Sequence, residues 1–183
     1  MKRESYCDII EQREGVAVNY HITNNLLDIV YKLAPTSDIK ISCTNNKDWR
    51  GKEYQSDLVT IDETSHVGFE VFENEIIAYF FSEHHHFEDY SSSIDEDEPT
   101  FVDRMETFLN DLFTCTIRYE KQYKRKTLIS ERYVFVHEDL TEECPARVWV
   151  HGILVRLIPF LRKRTEYKLW KFDAQKGIFV DVT

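Results

Sequence analysis

Apolar positions recur along this chain with two different periods, and the period changes several times. Between Thr23 and Ala34, Leu26, Leu27, Val30 and Leu33 fall at helical spacing behind the cap-like run Thr23-Asn24-Asn25, and Pro35 ends the segment. That pattern predicts a short helix. A second and clearer helix is predicted after Thr100. Thr100 with Asp103 has capping-box form, and Phe101, Met105, Phe108, Leu109, Leu112 and Phe113 then share one face. Its three phenylalanines place it against a sheet at the centre of the core, each worth about 1.5 to 3 kcal/mol when fully buried.

Elsewhere the period is two. Ile39 and Ile41 flank Lys40, predicting a brief strand that runs into a polar loop from Thr44 to Gln55. Val67, Phe69 and Val71, then Ile76, Ile77, Tyr79, Phe80 and Phe81, form two β-rich runs around Glu73-Asn74-Glu75, a predicted hairpin. Cys115, Ile117 and Tyr119, a turn at Lys124-Arg125-Lys126, and Ile129 to Phe135 predict a second hairpin. Tyr167 to Phe172, a turn ending in Lys176-Gly177, and Ile178 to Val182 predict a third. Val148 to Leu161 mixes helical spacing with β-branched residues and Pro159, and its type stays open. Tyr90 to Pro99, with three serines and four consecutive acids, reads as an exposed loop. Consecutive hairpins predict an α+β fold, a mainly antiparallel twisted sheet packed with two or three helices. No internal repeat or domain boundary interrupts residues 1–183, so one domain is expected.

The chain is 183 residues long, 42% hydrophobic and 14% aromatic, enough to bury one core. Cys7, Cys43, Cys115 and Cys144 lie far apart without a C-x-x-C pair and read as free thiols. No apolar stretch follows Lys2 and Arg3 as in a signal peptide, and Val148 to Leu161 falls short of a bilayer span. A cytoplasmic protein without membrane contact is expected.

Charge changes the picture most. The net charge is −10, but Glu53 to Asp111 holds 17 acids against the single base Arg104, a segment charge of −16 that leaves +6 on the remainder. An acidic surface repels nucleic acid and steers cationic partners, so a basic protein partner is expected in place of DNA or RNA. The residues expected to meet it are Glu83, Glu88, Asp89, Asp95, Glu96, Asp97 and Glu98, with Phe87 and Tyr90 as aromatic anchors.

The segment Phe80-Phe81-Ser82-Glu83-His84-His85-His86-Phe87-Glu88-Asp89-Tyr90, with the acids Asp95 to Glu98 behind it, resembles in style the bacterial immunity proteins that block toxins of contact-dependent and related polymorphic toxin systems. The resemblance spans about a third of the chain. It implies a cognate toxin or nuclease as partner, inhibition by covering the toxin's active site or a neighbouring surface, no catalysis and no cofactor. Either a monomer or a small homo-oligomer fits.

An enzymatic alternative rests on the histidine run. On a strand, His84 and His86 project from one face and can chelate a divalent metal, with Glu83, Glu88 or Asp89 supplying oxygen, as in a metal-dependent hydrolase. Cys115 or Cys144 with His137 or His151 is a further nucleophile pairing, weakened by Glu142 and Glu143 beside Cys144. No G-x-S-x-G elbow or phosphate-binding glycine loop is present. The basic stretches Arg118 to Lys126 and Arg162 to Lys171 carry Tyr119, Tyr123, Tyr167 and Trp170, the mixture of a single-stranded nucleic acid platform, though solvent faces of hairpins are the simpler reading. They are also expected to pair with the acidic half, within one molecule or between molecules.

Overall fold

A computed structural model describes residues 19–47, 51, 53–88, 99–149 and 163–183. Helix α1 (Tyr20–Leu33) precedes five strands, β1 (Lys40–Lys47), β2 (Glu53–Asp62), β3 (Val67–Val71), β4 (Glu75–Phe80) and β5 (Glu83–Glu88). Helix α2 (Phe101–Thr114) precedes five more, β6 (Thr116–Lys124), β7 (Thr127–Val136), β8 (Glu142–Trp149), β9 (Lys163–Asp173) and β10 (Ile178–Asp181). The expected α+β class holds, with antiparallel strands divided between two sheets. The first is a simple meander, β1-β2-β3-β4-β5; the second runs β10-β9-β6-β7-β8, so the chain crosses from the β8 edge to the far side of β6. The order helix-then-five-strands occurs in both halves without a repeat in sequence.

Helix α2 begins as its sequence predicts. Thr100 Oγ1 accepts from the Asp103 backbone N–H at 3.1 Å while the Asp103 carboxylate accepts from the Thr100 N–H at 2.9 Å, satisfying two otherwise orphaned donors. Its buried face carries Met105, Phe108, Leu109, Leu112 and Phe113. Helix α1 starts earlier than expected, with Asn19 at the cap position. Thr23, read as part of the cap, is fully buried and donates its hydroxyl to Asp57 on β2 at 2.8 Å. The polar loop expected from Thr44 to Gln55 is shorter, because β1 continues to Lys47 and pairs with β2 from Glu53 onward. Polar side chains hold these strands: Ser56 and Thr44 both donate to Glu70, the former closely. The undecided segment Val148 to Leu161 touches the end of β8, and its remainder lies outside the described residues.

One cluster of buried apolar side chains draws on both helices and both sheets. Polar contacts also tie the sheets together. Asp62, at the end of β2, accepts from the Phe179 backbone N–H of β10 at 3.1 Å. At the opposite corner His85 of β5 lies beside Pro145 of β8. The connection after α1 is pinned as well: Thr36 donates to the Ala174 carbonyl and Ser37 to that of Gly177, at 2.6 and 2.8 Å. Gly177 has φ of 69°, and a Cβ there would lie 2.7 Å from the Ser37 nitrogen, so both backbone and space require glycine.

His85 stacks on Phe108 and is half-buried. Burial pushes its imidazole below the ordinary value of 6.5, with His86 and Arg104 acting the same way and the Pro145 carbonyl and Glu143 opposing. The unfolded chain therefore takes up a proton that the folded chain refuses as pH falls below 6.5. Folding stability should fall from neutral pH toward pH ~5 for this reason, and His85→Gln should flatten that slope in urea unfolding. Equal slopes in the two proteins would exclude His85 as the source.

Candidate functional site

An aromatic concavity is built by a relay of polar contacts from Asp62. Its Oδ1 accepts from the Thr64 and Ser65 N–H groups at 2.9 and 3.3 Å, fixing the β2–β3 turn. The Ser65 carbonyl accepts from the Phe81 N–H at 2.9 Å, which docks the β4–β5 turn on the first. Ser82 in that second turn is hydrogen-bonded to the Tyr133 hydroxyl of β7 at 3.1 Å. His66 and Phe81 both adopt left-handed φ, 53° and 55°, which non-glycine residues hold only where surroundings impose it. Such strain gathers at binding sites more often than elsewhere.

The result is a cleft of about 710 Å³ between these turns and the inner face of the second sheet. Its wall is a stack of rings. Phe81 lies parallel to Tyr133 at 5.4 Å between centroids, Tyr133 stacks on Tyr119 at 4.7 Å, and Trp170 leans on Phe81 at 5.2 Å. Lys121, Lys168 and Glu166 reach the same space. Along the wall, Tyr119 donates to Glu131 at 2.6 Å, and Lys121 Nζ lies 3.2 Å from the same oxygen. Burial and that acceptor push the Tyr119 hydroxyl well above the tyrosine range, so it stays protonated.

Glu83 flanks this wall from the start of β5. Burial raises its pKa, and the charge of Glu131 raises it further. Among the described residues Glu83 forms no ion pair with Lys or Arg, while Glu131 takes the Lys121 ammonium. Two half-buried carboxylates thus stand near each other and near the Tyr119 and Tyr133 rings, with the Lys121 ammonium on Glu131 alone. That arrangement favours a positively charged guest, which gains from both the carboxylates and the ring faces.

The other expected partner-binding residues are distributed differently. Glu88 is exposed on the outer face of β5 with His84 and His86, while Glu83, His85 and Phe87 alternate inward. Phe87 is therefore corrected from surface anchor to core residue: it is 5% exposed and packs edge-on to Phe108 at 5.6 Å. Asp89, Tyr90, Asp95, Glu96, Asp97 and Glu98 lie outside the described residues. Many remaining acids of the negative segment serve the fold. Asp57 accepts from Thr23 and the Cys43 thiol, Glu70 from Ser56, Thr44 and Tyr79, and Asp103 caps α2. Glu63 pairs with Lys40 and Glu53 with Lys47.

The basic stretches behave similarly. Arg118 and Arg132 both bind Glu120, and Arg118 also takes Glu142 through two bonds of 2.8 and 3.0 Å. Burial alone would raise the Glu120 carboxyl, but the two guanidiniums outweigh it and hold it below its usual range. In the basic stretches Arg118, Lys121 and Arg164 pair with acids of the second sheet, while Lys40 and Lys47, from outside the acidic segment, pair with Glu63 and Glu53 inside it.

His84 and His86 share a face with ring centroids 5.0 Å apart, as strand alternation requires. The ligand atoms that converge are those of Glu75, His86 and Glu88, without His84, and His86 Nδ1 is already bonded to Glu75. The pairing of Cys115 with His137 is present, Sγ to Nδ1 at 3.2 Å, with Asp111 Oδ1 at 3.9 Å from the same nitrogen. Burial pushes the Cys115 thiol up, and Asp111 and Glu143 add to this. Cys144 is exposed and His151 lies outside the described residues. Among the described residues no helix is long and apolar enough to cross a membrane. A scan against protein-family models, a search of curated proteins and a search of solved structures each give no match.

The cleft escapes sequence reading because Phe81, Tyr119, Tyr133 and Trp170 come from distant strands and turns. Its local signal was the interleaving of Tyr119, Tyr123, Tyr167 and Trp170 with lysines and arginines in the two basic stretches, and all four of those aromatic residues line it.

Proposed function

We propose that this chain is a binding protein, not an enzyme, that neutralises a basic protein partner by seating a Lys or Arg side chain in the aromatic cleft. The observation that carries this reading is Glu83, a half-buried carboxylate whose charge acts on Glu131's neighbourhood and on Tyr119 and Tyr133, two of the stacked rings that line the cleft. A guanidinium entering there relieves the repulsion between the two acids and covers the ring faces. The cognate partner is a bacterial toxin or nuclease, which the immunity protein holds inactive in the cytoplasm. The exposed Glu88 and the acidic stretch from Asp89 to Glu98 add steering that weakens with salt.

Trp170 reports directly on the cleft. Titration with arginine amide should change tryptophan fluorescence saturably, and Trp170→Phe should abolish the change. Glu83→Gln should weaken binding about tenfold, the loss of one desolvated charge contact. Alongside the product of a neighbouring toxin gene, the wild-type chain should suppress toxicity and Glu83→Lys should not. A cleft that ignores arginine amide, together with full protection by Glu83→Lys, would reject the reading.

A further inference from the structure

The end of α2 brings together three groups that no step of partner binding uses. Asp111 and Cys115 are four residues apart, so the last helical turn stacks them on one face, and the Cys115 N–H donates to the Asp111 carbonyl at 2.9 Å. His137 arrives from the end of β7, held by hydrogen bonds of its backbone to Thr141 and Leu140, both at 3.0 Å. The carboxylate oxygen, the thiol sulfur and the imidazole Nδ1 all lie within 4.8 Å of one another.

A nucleophile would need a different arrangement. In a thiol–imidazole–carboxylate relay the sulfur and the carboxylate address opposite ring nitrogens, so that the ring passes a proton between them. Here both address Nδ1, at 3.2 and 3.9 Å. Three donors aimed at one point match a metal ion instead. Ligand atoms on tetrahedral zinc sit roughly 3.3 to 3.6 Å apart, and the observed spacings bracket that range.

We propose that Asp111, Cys115 and His137 form a zinc site that links α2 to the second sheet. The donor set combines a thiolate, an imidazole and a carboxylate, which favours zinc over calcium or magnesium. Glu143 on β8 acts on Asp111 and Cys115 through its charge, while the converging ligand atoms are those of Asp111, Cys115 and His137. As the sulfur–zinc bond forms, the thiol proton leaves to solvent and no electron is transferred. An ion reaches the site from the second cleft, of about 730 Å³, which His137 lines. The outward group of Glu75, His86 and Glu88 offers only oxygen and nitrogen, and the two sites are distinguishable by spectrum.

The test is titration of the full, untagged chain with Co²⁺, followed by displacement with Zn²⁺. One equivalent of Co²⁺ should give near-ultraviolet thiolate-to-cobalt absorption and the strong visible bands of a tetrahedral centre, both erased by one equivalent of Zn²⁺. C115S should abolish the thiolate band. Because Cys115 is buried, H137Q and D111N, at partly exposed positions, carry the test should C115S fail to fold; each should weaken Zn²⁺ binding at least about tenfold. H86Q should leave binding unchanged. Absence of Co²⁺ binding, a spectrum without the thiolate band, or unaltered affinity in both H137Q and D111N would overturn the proposal.

Discussion

Phe108→Ala should lower the free energy of unfolding by about 3 to 5 kcal/mol. Phe108 is the ring where α2 meets both sheets. It touches Phe80 and Phe87 of the first at 5.3 and 5.6 Å, Phe135 of the second at 5.5 Å, and His85 lies parallel above it. Truncation removes the buried ring and also the edge-to-face contacts of its neighbours, which are fixed on separate strands and cannot collapse together into the space. A domain of this size has a total stability of only about 5 to 15 kcal/mol, so the variant should lose a large fraction of it. Phe108→Leu keeps most of the volume and should cost less than about 1.5 kcal/mol. Urea unfolding of the two variants measures the difference. A cost below about 1 kcal/mol for the alanine variant would mean that α2 is not the element joining the sheets.

That role was legible in the sequence because two independent signals agreed. The Thr100–Asp103 box marks where α2 begins, and the apolar period fixes the face it buries. The hairpins were legible for the same reason, alternation plus turn residues. Where only one signal was present, reading went astray. Thr23 has the chemistry of a helix cap, but its hydroxyl is claimed by Asp57, 34 residues away, which no local pattern reveals. The start of strand β2, Glu53 to Gln55, was read as the end of a polar loop, and the partners that hold its next residues Ser56 and Asp57, on β1, β3 and α1, are distant in sequence.

The acidic segment teaches a related lesson about charge. Counting found the excess of carboxylates, but a count does not separate a solvated acid from one that accepts backbone or hydroxyl hydrogens. Asp62, Glu70 and Asp103 are structural acceptors, whereas Glu83, which alternation turns inward, brings its negative charge to Tyr119 and Tyr133. Phe87 was misassigned by its acidic neighbours in sequence. Its neighbours in space are Phe108 and His85.

Asp62→Ala should be the second most damaging substitution, at about 3 kcal/mol, because one buried carboxylate serves three backbone donors. Oδ1 holds the N–H groups of Thr64 and Ser65, and Oδ2 holds that of Phe179 across the gap between sheets. The side chain is 4% exposed, so water replaces none of these bonds without opening the structure. Asp62→Asn separates the two functions. Its single carbonyl oxygen can still hold the turn, but its amide then faces the Phe179 N–H, donor against donor, so it should cost about half as much. Both variants should also loosen the cleft, since the turn that Asp62 fixes positions Ser65, and Ser65 positions Phe81. Arginine amide binding should therefore weaken in Asp62→Asn even where the chain stays fully folded, read by the same Trp170 fluorescence. Wild-type stability in Asp62→Ala would sink the claim that this carboxylate couples the sheets; wild-type affinity in Asp62→Asn would show that the cleft does not depend on it.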